Sequence, residues 1–122
     1  MTSVDPARIL VGVPALDEAR HIEACIASLM VPAAAMTRVR IVVADGGSTD
    51  GTQAVVARLV ERFPNLVLMS NPARLQAAGI NRVVAAHATA DHDILVRADA
   101  HAVYPPRLRG ARTTKPIRPQ LW

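Results

Sequence analysis

Cysteine, aromatic residues and long apolar runs are all scarce in this chain of 122 residues. The single cysteine, Cys25, excludes an internal disulfide and is typical of proteins from a reducing compartment. Only Phe63, Tyr104 and Trp122 are aromatic, so aliphatic side chains must build the core. No apolar run reaches the roughly 18 to 20 residues that span a bilayer, and the first residues lack the features of a signal peptide. We therefore expect a cytoplasmic domain with no transmembrane segment in this chain.

Lysine is absent before Lys115, and the excess of basic charge is confined to one end of the chain. Residues 1–106 contain nine arginines and ten acidic residues, a net charge of −1, whereas residues 107–122 contain five cationic residues and no acidic one. A nucleic-acid-binding domain is expected to carry its basic residues on the folded part. The distribution therefore argues against a nucleic-acid partner. It also predicts that residues 107–122 are a basic, Pro/Arg-rich tail that is disordered or not part of the fold.

The apolar pattern predicts strands and helices in alternation. Continuous runs rich in Val, Ile and Leu predict four strands, at Ile9–Val13, Val39–Ala44, Leu66–Met69 and Asp93–Arg97. Helical periodicity between them predicts three helices, the first ended by Pro32 and the third covering about residues 75–88. Asp50 and Gln53 have the spacing of a capping box at the start of the second helix. This order predicts an α/β fold with a mostly parallel sheet, right-handed crossovers and helices on both faces.

Three of the predicted strands run into acidic, turn-rich segments. Asp17 and Glu18 follow the first strand, Asp45 follows the second, and Asp99 and His101 follow the fourth. In an open α/β sheet, ligands bind in the crevice beyond the carboxyl ends of the strands. Acidic side chains in that crevice suit a metal ion, a ribose hydroxyl or the edge of a base. A phosphate there would need a metal between it and the protein.

The segment that begins at Asp45 reads Asp-Gly-Gly-Ser-Thr-Asp-Gly-Thr and separates a predicted strand from a predicted helix. It contains neither the Gly-x-Gly-x-x-Gly of dinucleotide sites nor the Gly-Lys-Ser/Thr of a P-loop. Taken alone, the segment fits a glycine-rich turn with a helix cap. Asp45, at the end of the strand, could also accept a hydrogen bond from the imide N–H of uracil or from another base edge.

Asp99 and His101 are two positions apart at the end of the fourth predicted strand, so strand alternation points both side chains the same way. A carboxylate and an imidazole can bind Mn²⁺ or Mg²⁺, the imidazole favouring Mn²⁺, while diphosphate oxygens fill other coordination positions. Taken alone, however, Asp-x-His is more typical of a solvated turn.

Together, three segments of the chain resemble the family 2 glycosyltransferases. They read Val-Gly-Val-Pro-Ala-Leu-Asp-Glu-Ala, Ile-Val-Val-Ala-Asp-Gly-Gly-Ser-Thr-Asp-Gly-Thr and Ile-Leu-Val-Arg-Ala-Asp-Ala-His-Ala-Val-Tyr-Pro, in the order of that family. The third segment is similar to the bacterial exopolysaccharide branch, the succinoglycan-type enzymes. The resemblance covers about residues 8–106 and is most specific in the middle segment.

The resemblance implies a GT-A fold, a Rossmann-like domain that binds a nucleotide sugar through a divalent metal. It places Pro14 and Glu18 against the nucleoside and Asp45 against the base. It also places Asp99 and His101 at the family's Asp-x-Asp site, where the pair touches the ribose and the metal-bound diphosphate and both residues bind the metal.

Other positions are suggested less specifically, and two depart from the family's pattern. Gln76, Gly79 and Asn81 fall in the segment that packs beside the donor in this family. Gly46 stands where a second acidic residue is common, and His101 replaces the usual second Asp. One polar contact to the nucleoside is therefore expected to be missing, and the metal site is expected to be less anionic.

The implied activity is transfer of a sugar, with inversion, from a nucleotide-diphosphate donor, with a UDP-sugar favoured, to a saccharide or lipid-linked acceptor. The general base of this family lies well beyond the Asp-x-Asp site, so we expect no catalytic residue in this chain. Residues 1–106 are therefore predicted to be the donor-binding part of a truncated domain, inactive alone. The alternatives are a sugar nucleotidyltransferase, disfavoured by the absence of lysine near the first loop, and a nucleotide-binding or interaction module without catalysis.

Overall fold

The structure is a computed structural model and describes residues 9–33, 39–88 and 94–104. Within these residues, four strands alternate with three helices. They are β1 (Ile9–Ala15), α1 (Ile22–Ala33), β2 (Val39–Asp45), α2 (Thr52–Arg62), β3 (Leu66–Ser70), α3 (Gln76–His87) and β4 (Ile94–Arg97). Every predicted element of this series is confirmed, with ends shifted by one or two residues. The predicted tail at residues 107–122 and the predicted start of the fourth strand at Asp93 lie outside the described residues.

The four strands form one parallel sheet in the order β3-β2-β1-β4. The first two crossovers lead from β1 outward to β3, and the third returns across the sheet to place β4 on the other side of β1. The order therefore reverses between β1 and β4. In doubly wound sheets, such a switch point opens a crevice at the carboxyl ends of the two strands.

Helices cover both faces of the sheet, which explains why its central strands are apolar throughout. The face that contacts α1 and α2 is built from alternate aliphatic residues of the strands, among them Val11, Val13, Ile41 and Val43. The face that contacts α3 is built from the residues between them, among them Leu10, Val42 and Leu95. The predicted stripe of α1 is buried at all five positions, which are Ile22, Cys25, Ile26, Leu29 and Met30.

Two glycines allow α3 to pack closely onto the sheet. A Cβ atom at Gly12 of β1 would lie 2.9 Å from Cδ1 of Ile80, and one at Gly79 of α3 would lie 3.4 Å from Cβ of Pro14. A side chain at Gly12 would force the Ile80 methyl to move, and one at Gly79 would fill the space between α3 and Pro14. This close packing fixes the N-terminal end of α3 beside the switch point.

The end of β1 differs from the prediction, because the strand continues through Pro14 to Ala15. The carbonyl of Gly12 accepts a hydrogen bond from Ala98, on the β4 side, and that of Ala15 accepts one from Gly46, on the β2 side. By alternation the nitrogen of Pro14 faces the β4 side, where the strand pairing ends at Gly12 and Arg97. A proline is tolerated there because no ladder hydrogen bond is lost.

The predicted capping box of α2 is wrong. The residue at the N-cap is Gly51, which makes no side-chain cap hydrogen bond, and Asp50 lies one position earlier than predicted. The Asp50 carboxylate accepts hydrogen bonds from the backbone N–H groups of Thr52 and Ala19, and Gln53 donates to Asp45 instead of returning to the cap. A buried carboxylate was a stronger partner for the Gln53 amide than the helix end.

Within the described part of the chain, no helix has the length and apolar character that crossing a membrane would require.

The predicted end of the first helix at Pro32 is off by one residue. α1 continues to Ala33, and Pro32 lies in its last turn.

Candidate functional site

A cavity of about 300 Å³ occupies the switch point between β1 and β4. Three segments line it, namely the end of β1 with the following loop, the β3–α3 loop, and the turn after β4. The lining residues are Pro14, Ala15, Leu16, Glu18, Asn71, Arg74, Leu75, Gln76, Asp99, Ala100 and His101. Of the predicted site residues, Pro14, Glu18, Asp99 and His101 therefore lie together, and Asp45 lies outside this lining.

The loop after β1 is fixed by hydrogen bonds to the loop after β2. The backbone N–H of Glu18 donates to Oγ1 of Thr52 at 2.9 Å, and that of Asp17 donates to Oγ of Ser48 at 2.8 Å. In return, the N–H of Thr49 donates to the Asp17 carboxylate at 2.8 Å. Asp17 adopts a left-handed backbone conformation with φ of 54°, which turns the chain back toward β2. These contacts hold Glu18 at the cavity.

Asp45 is buried at the end of β2, and all its described side-chain contacts are with the segment that follows. Its Oδ2 accepts hydrogen bonds from the N–H groups of Gly47 and Ser48 at 3.0 Å each and from Nε2 of Gln53 at 2.7 Å. Its Oδ1 accepts from the hydroxyl of Ser48. Burial alone would raise the pKa of Asp45, but the hydrogen bonds from Ser48, Gln53 and Gly47 outweigh it and hold the pKa below the ordinary 3.8. The carboxylate therefore orders the glycine-rich loop, and its contact with a base stays a prediction.

Asp99 and His101 meet at the cavity for a different reason from the one predicted. β4 ends at Arg97, so strand alternation does not extend to these residues. They lie in a turn in which the N–H of Ala102 donates to the carbonyl of Asp99 at 3.1 Å. Nδ1 of His101 lies 3.4 Å from a carboxylate oxygen of Glu18. The turn thus brings an imidazole and two carboxylates, from opposite ends of the described chain, to one cavity.

Asn71 is a site residue that the sequence reasoning missed. It directly follows β3 and is 2% exposed. Its Nδ2 donates to the carbonyl of Leu75 at 3.0 Å, whereas its Oδ1 has no hydrogen-bond partner among the described residues. The rule applied to the other three strands, that polar residues after a strand reach the crevice, would have found Asn71 as well.

The β3–α3 loop also presents positive charge to the cavity. Arg74, whose φ of 67° is left-handed, directly precedes the helix N-cap Leu75, and the first turn of α3 begins at Gln76. A helix N-terminus carries unpaired N–H groups and a partial positive charge, which favour an anion. The otherwise acidic crevice therefore has one side suited to phosphate. Oε1 of Gln76 accepts a hydrogen bond from Arg97 at 2.6 Å, which ties this side to the end of β4.

The remaining suggested positions are not at the cavity surface. Gly79 is buried behind it, where an added Cβ would lie 3.0 Å from Nδ2 of Asn71. Asn81 is exposed on α3 and does not line the cavity. Gly46 is buried against the β3–α3 loop, since a Cβ there would lie 3.2 Å from Cα of Arg74. The loop thus occupies the space beside Gly46 into which an acidic side chain would extend.

The donor groups at the cavity fit a divalent cation that shares its coordination with a ligand. Among the residues that the structure describes, no group of three or more His, Cys, Asp or Glu side chains could hold a metal by itself. The Asp99 carboxylate and the His101 imidazole are nevertheless suitable ligands for Mn²⁺, and Glu18 lies beside them. Mg²⁺ and related ions in phosphate sites commonly take one or two carboxylates plus phosphate oxygens.

Cys25 lies directly behind this site and is expected to be inert toward thiol reagents. Its side chain is fully buried. Burial, with smaller contributions from the negative charges of Asp99 and Glu18, raises its pKa from 9.0 to about 11. The thiolate fraction at mildly alkaline pH is therefore reduced about a hundredfold even before access is considered.

Reaction with an aromatic disulfide reagent checks this prediction. The native chain should react at least about a hundred times more slowly than the same chain unfolded in urea. Equal rates in the two states would show that the thiol is exposed and that the described packing of α1 against the Asp99 turn is wrong.

Comparison with known proteins identifies the relatives of this chain. The family model described as glycosyl transferase family 2 matches residues 10–110. The succinoglycan biosynthesis protein ExoA of Rhizobium meliloti (strain 1021) is 46% identical over 96 residues, which are 79% of this chain and 28% of that protein. The chain thus spans little more than a quarter of the length of this relative.

Solved structures of glycosyltransferases share the fold. The mannosyltransferase PcManGT from Pyrobaculum calidifontis, in complex with GDP-Man and Mn²⁺, superimposes with a TM-score of 0.71 and 34% identity, over 80% of this chain and 28% of that one. S. aureus TarS (residues 1–349) in complex with UDP-GlcNAc gives a TM-score of 0.66 at 19% identity, over 84% and 29% of the two chains. The second likeness supports the fold alone.

Proposed function

Because the chain belongs to glycosyl transferase family 2, we propose that the cavity between β1 and β4 binds the nucleotide diphosphate of a sugar donor. One observation carries the proposal. Glu18, Asp99 and His101 line the same cavity as Arg74 and the start of α3, so one crevice contains both acidic and basic groups. A metal-bound diphosphate requires both kinds of surface, because the metal needs anionic ligands and the phosphate oxygens need donors.

The nucleoside is assigned to the β1 side of the cavity. Pro14 and Glu18 lie there, and the exposed side chains of Leu16 and Leu75 offer apolar surface to a base. Asn71 also belongs to the cavity wall, but its unpartnered Oδ1 is buried, so we assign it no direct contact with the nucleoside. The predicted role of Asp45 at the base enters the proposal in an indirect form, because Asp45 orders the loop that holds the segment of Asp17 and Glu18 at the cavity.

The diphosphate is assigned to the space between the turn after β4 and α3. Asp99 and His101 would hold a divalent cation there, with Mn²⁺ favoured by the imidazole. Such a cation, when bound, neutralises charge on the departing diphosphate. Arg74 and the N–H groups at the start of α3 would bind the remaining phosphate oxygens. The complex of PcManGT with GDP-Man and Mn²⁺ supports this class of ligand.

The reaction that we propose is transfer of the donor sugar, with inversion, to a saccharide or lipid-linked acceptor in the synthesis of a bacterial exopolysaccharide. The similarity to ExoA, a succinoglycan biosynthesis protein, supports a role in exopolysaccharide synthesis. Among the described residues we assign no general base for the acceptor hydroxyl, since the carboxylates at the cavity are assigned to the donor and its metal. A UDP-sugar remains our preferred donor, and the mannosyltransferase complex makes a GDP-sugar the main competitor.

A thermal-shift panel tests the donor assignment. The wild-type chain is mixed with UDP-, GDP- and TDP-sugars in turn, each with and without Mn²⁺. The control is the Glu61→Ala variant, which changes an exposed acidic residue on α2, and it receives the same ligands. A ligand at a hundred times its dissociation constant stabilises the fold by about 2.7 kcal/mol, which shifts the melting temperature by several degrees. We expect a shift with one base and Mn²⁺ in both chains. No shift with any nucleotide sugar contradicts the proposal.

A further inference from the structure

The backbone of Asp99 is held on both sides by side chains that do not line the cavity. Its N–H donates to the hydroxyl oxygen of Tyr104 at 2.7 Å. Its carbonyl accepts a hydrogen bond from Sγ of Cys25, on α1, at 3.2 Å. The two contacts fix the peptide groups that flank the Asp99 Cα, and therefore the direction in which its carboxylate leaves the chain.

Tyr104 is itself anchored to α1. Its N–H donates to Oγ of Ser28 at 2.9 Å, and that hydroxyl donates to the carbonyl of Cys25 at 2.7 Å. The Tyr104 ring packs against the core cluster between α1 and the sheet. Asp99, Tyr104, Ser28 and Cys25 thus form a closed circuit of hydrogen bonds that joins the turn after β4 to a buried helix.

The circuit adds to the other contacts of the turn after β4. The pairing of β4 with β1 ends at Arg97, the N–H of Ala98 then donates to the carbonyl of Gly12, and Ala98 and Ala100 are buried in the core. These contacts place the turn, while the hydrogen bonds to Tyr104 and Cys25 act on the two peptide groups of Asp99, whose side chain is exposed. A carboxylate on a less firmly held backbone would sample more positions, and binding would have to order it at a cost in affinity.

The two side chains have the hydrogen-bonding groups that these positions require. The Cys25 thiol is a donor and faces the Asp99 carbonyl, and the Tyr104 hydroxyl oxygen is an acceptor and faces the Asp99 N–H.

We propose that Tyr104 and Cys25 are positioning residues of the donor site, which hold the Asp99 carboxylate in the orientation that the metal-bound diphosphate requires. The expected effect on nucleotide binding rests on the proposed function, whereas the effect on the Asp99 backbone does not. Neither residue touches the cavity, so their effect reaches the ligand only through Asp99.

Two measurements on the 122-residue chain test the inference. The first is the hydrogen-exchange rate of the Asp99 amide by NMR, which needs no ligand. The second is the dissociation constant of UDP, and separately of GDP, with and without Mn²⁺, by calorimetry. The variants are Tyr104→Phe, which removes only the hydroxyl, and Val103→Ala, a control at an exposed side chain of the same segment. Cys25→Ser keeps a donor, and Cys25→Ala removes it.

In Tyr104→Phe we expect faster exchange at the Asp99 amide. We also expect the Mn²⁺-dependent gain in nucleotide affinity to fall about five- to tenfold, as for loss of one hydrogen bond, while the metal-free affinity stays within about twofold. Cys25→Ala should show the same pattern, and Cys25→Ser should restore most of the gain. Val103→Ala should match the wild type in both measurements.

The outcomes separate the inference from the proposed function. A wild-type chain that binds neither nucleotide contradicts the proposed function, and the Asp99 exchange rate then still decides whether Tyr104 holds the turn. A wild type that binds with Mn²⁺, together with a Tyr104→Phe variant that binds equally well or exchanges Asp99 no faster, overturns the inference. Equal losses with and without Mn²⁺ also overturn it, because they indicate a general structural role.

Discussion

Replacing Asp45 by Asn is expected to destabilise the folded chain by about 3 kcal/mol, because hydrogen bonds to a charged group are worth about 1.5 to 3 kcal/mol each and Asp45 accepts four. An amide oxygen could still accept from the three N–H donors at the Oδ2 position, but it carries no charge, and an NH₂ group at the Oδ1 position would reverse the hydrogen bond with the Ser48 hydroxyl. The loop between β2 and α2 would lose its organising group. The contacts of Asp17 and Glu18 with this loop would loosen with it.

Urea unfolding followed by circular dichroism measures this loss. Glu61→Gln, at an exposed acid on α2, is the matched control and should change the free energy of unfolding by less than about 0.5 kcal/mol. A stable Asp45→Asn variant that has lost nucleotide affinity would contradict the structural role and favour a direct contact between Asp45 and the base.

The Asp45 carboxylate also makes the free energy of unfolding depend on pH. Its pKa is lower in the folded chain than its ordinary value of 3.8, so it contributes stability that is complete above that pH and is lost as the pH falls toward the folded pKa. The stability of the wild type should therefore fall more steeply below about pH 4 than that of Asp45→Asn. Parallel acid-unfolding curves of the two chains would show that the Asp45 pKa is not lowered by folding.

The second large effect is expected at Asp99. Asp99→Ala should weaken nucleotide binding in the presence of Mn²⁺ by about a hundredfold or more, since removing even an outer-shell partner of a metal ligand costs roughly 10- to 100-fold. The Asp99 side chain is exposed, and the three described hydrogen bonds of its backbone survive the substitution, so the fold should keep its stability. Calorimetry with UDP or GDP and Mn²⁺ measures the affinity, and thermal unfolding of the same sample measures the stability.

Two further variants should be measured alongside Asp99→Ala. His101→Ala should give a smaller loss of Mn²⁺-dependent affinity, because it removes a neutral ligand and leaves the carboxylate. Glu61→Ala should bind like the wild type. An Asp99→Ala variant with full Mn²⁺-dependent affinity would remove Asp99 from the metal site.

The order of strands and helices was predictable from the sequence because its signals are local. Aliphatic runs mark strands buried on both faces, and the five buried positions of α1 follow helical spacing. The rule that polar residues after parallel strands share one crevice grouped Glu18, Asp99 and His101, which do line one cavity, but it also placed Asp45 there, and Asp45 lies outside the lining. The strand order, and with it the switch point, depends on which side of the existing sheet each new strand joins. No local sequence pattern indicates that side.

The errors arose where a distant partner overrode a local pattern. Gln53 has capping-box spacing but donates to Asp45, which became available only when β2 and α2 packed together. Cys25 and Asp99 are 74 positions apart, and Ser28 and Tyr104 are 76 apart, so their hydrogen bonds have no trace in the spacing of residues. Asn71 was missed for a simpler reason, because its segment lacks an acidic residue.

Paramagnetic broadening by Mn²⁺ tests most directly the central claim that the switch-point cavity is a metal-dependent donor site. The NMR signals of the chain are recorded with UDP or GDP while trace amounts of Mn²⁺ are added. The account predicts that the amides around Glu18 and of Asp99 to His101 broaden first, that those around Arg74 follow, and that those at the end of α2 stay sharp. Asp99→Ala should abolish the pattern. Uniform broadening, or broadening centred away from β1 and β4 in the wild type, would contradict the claim.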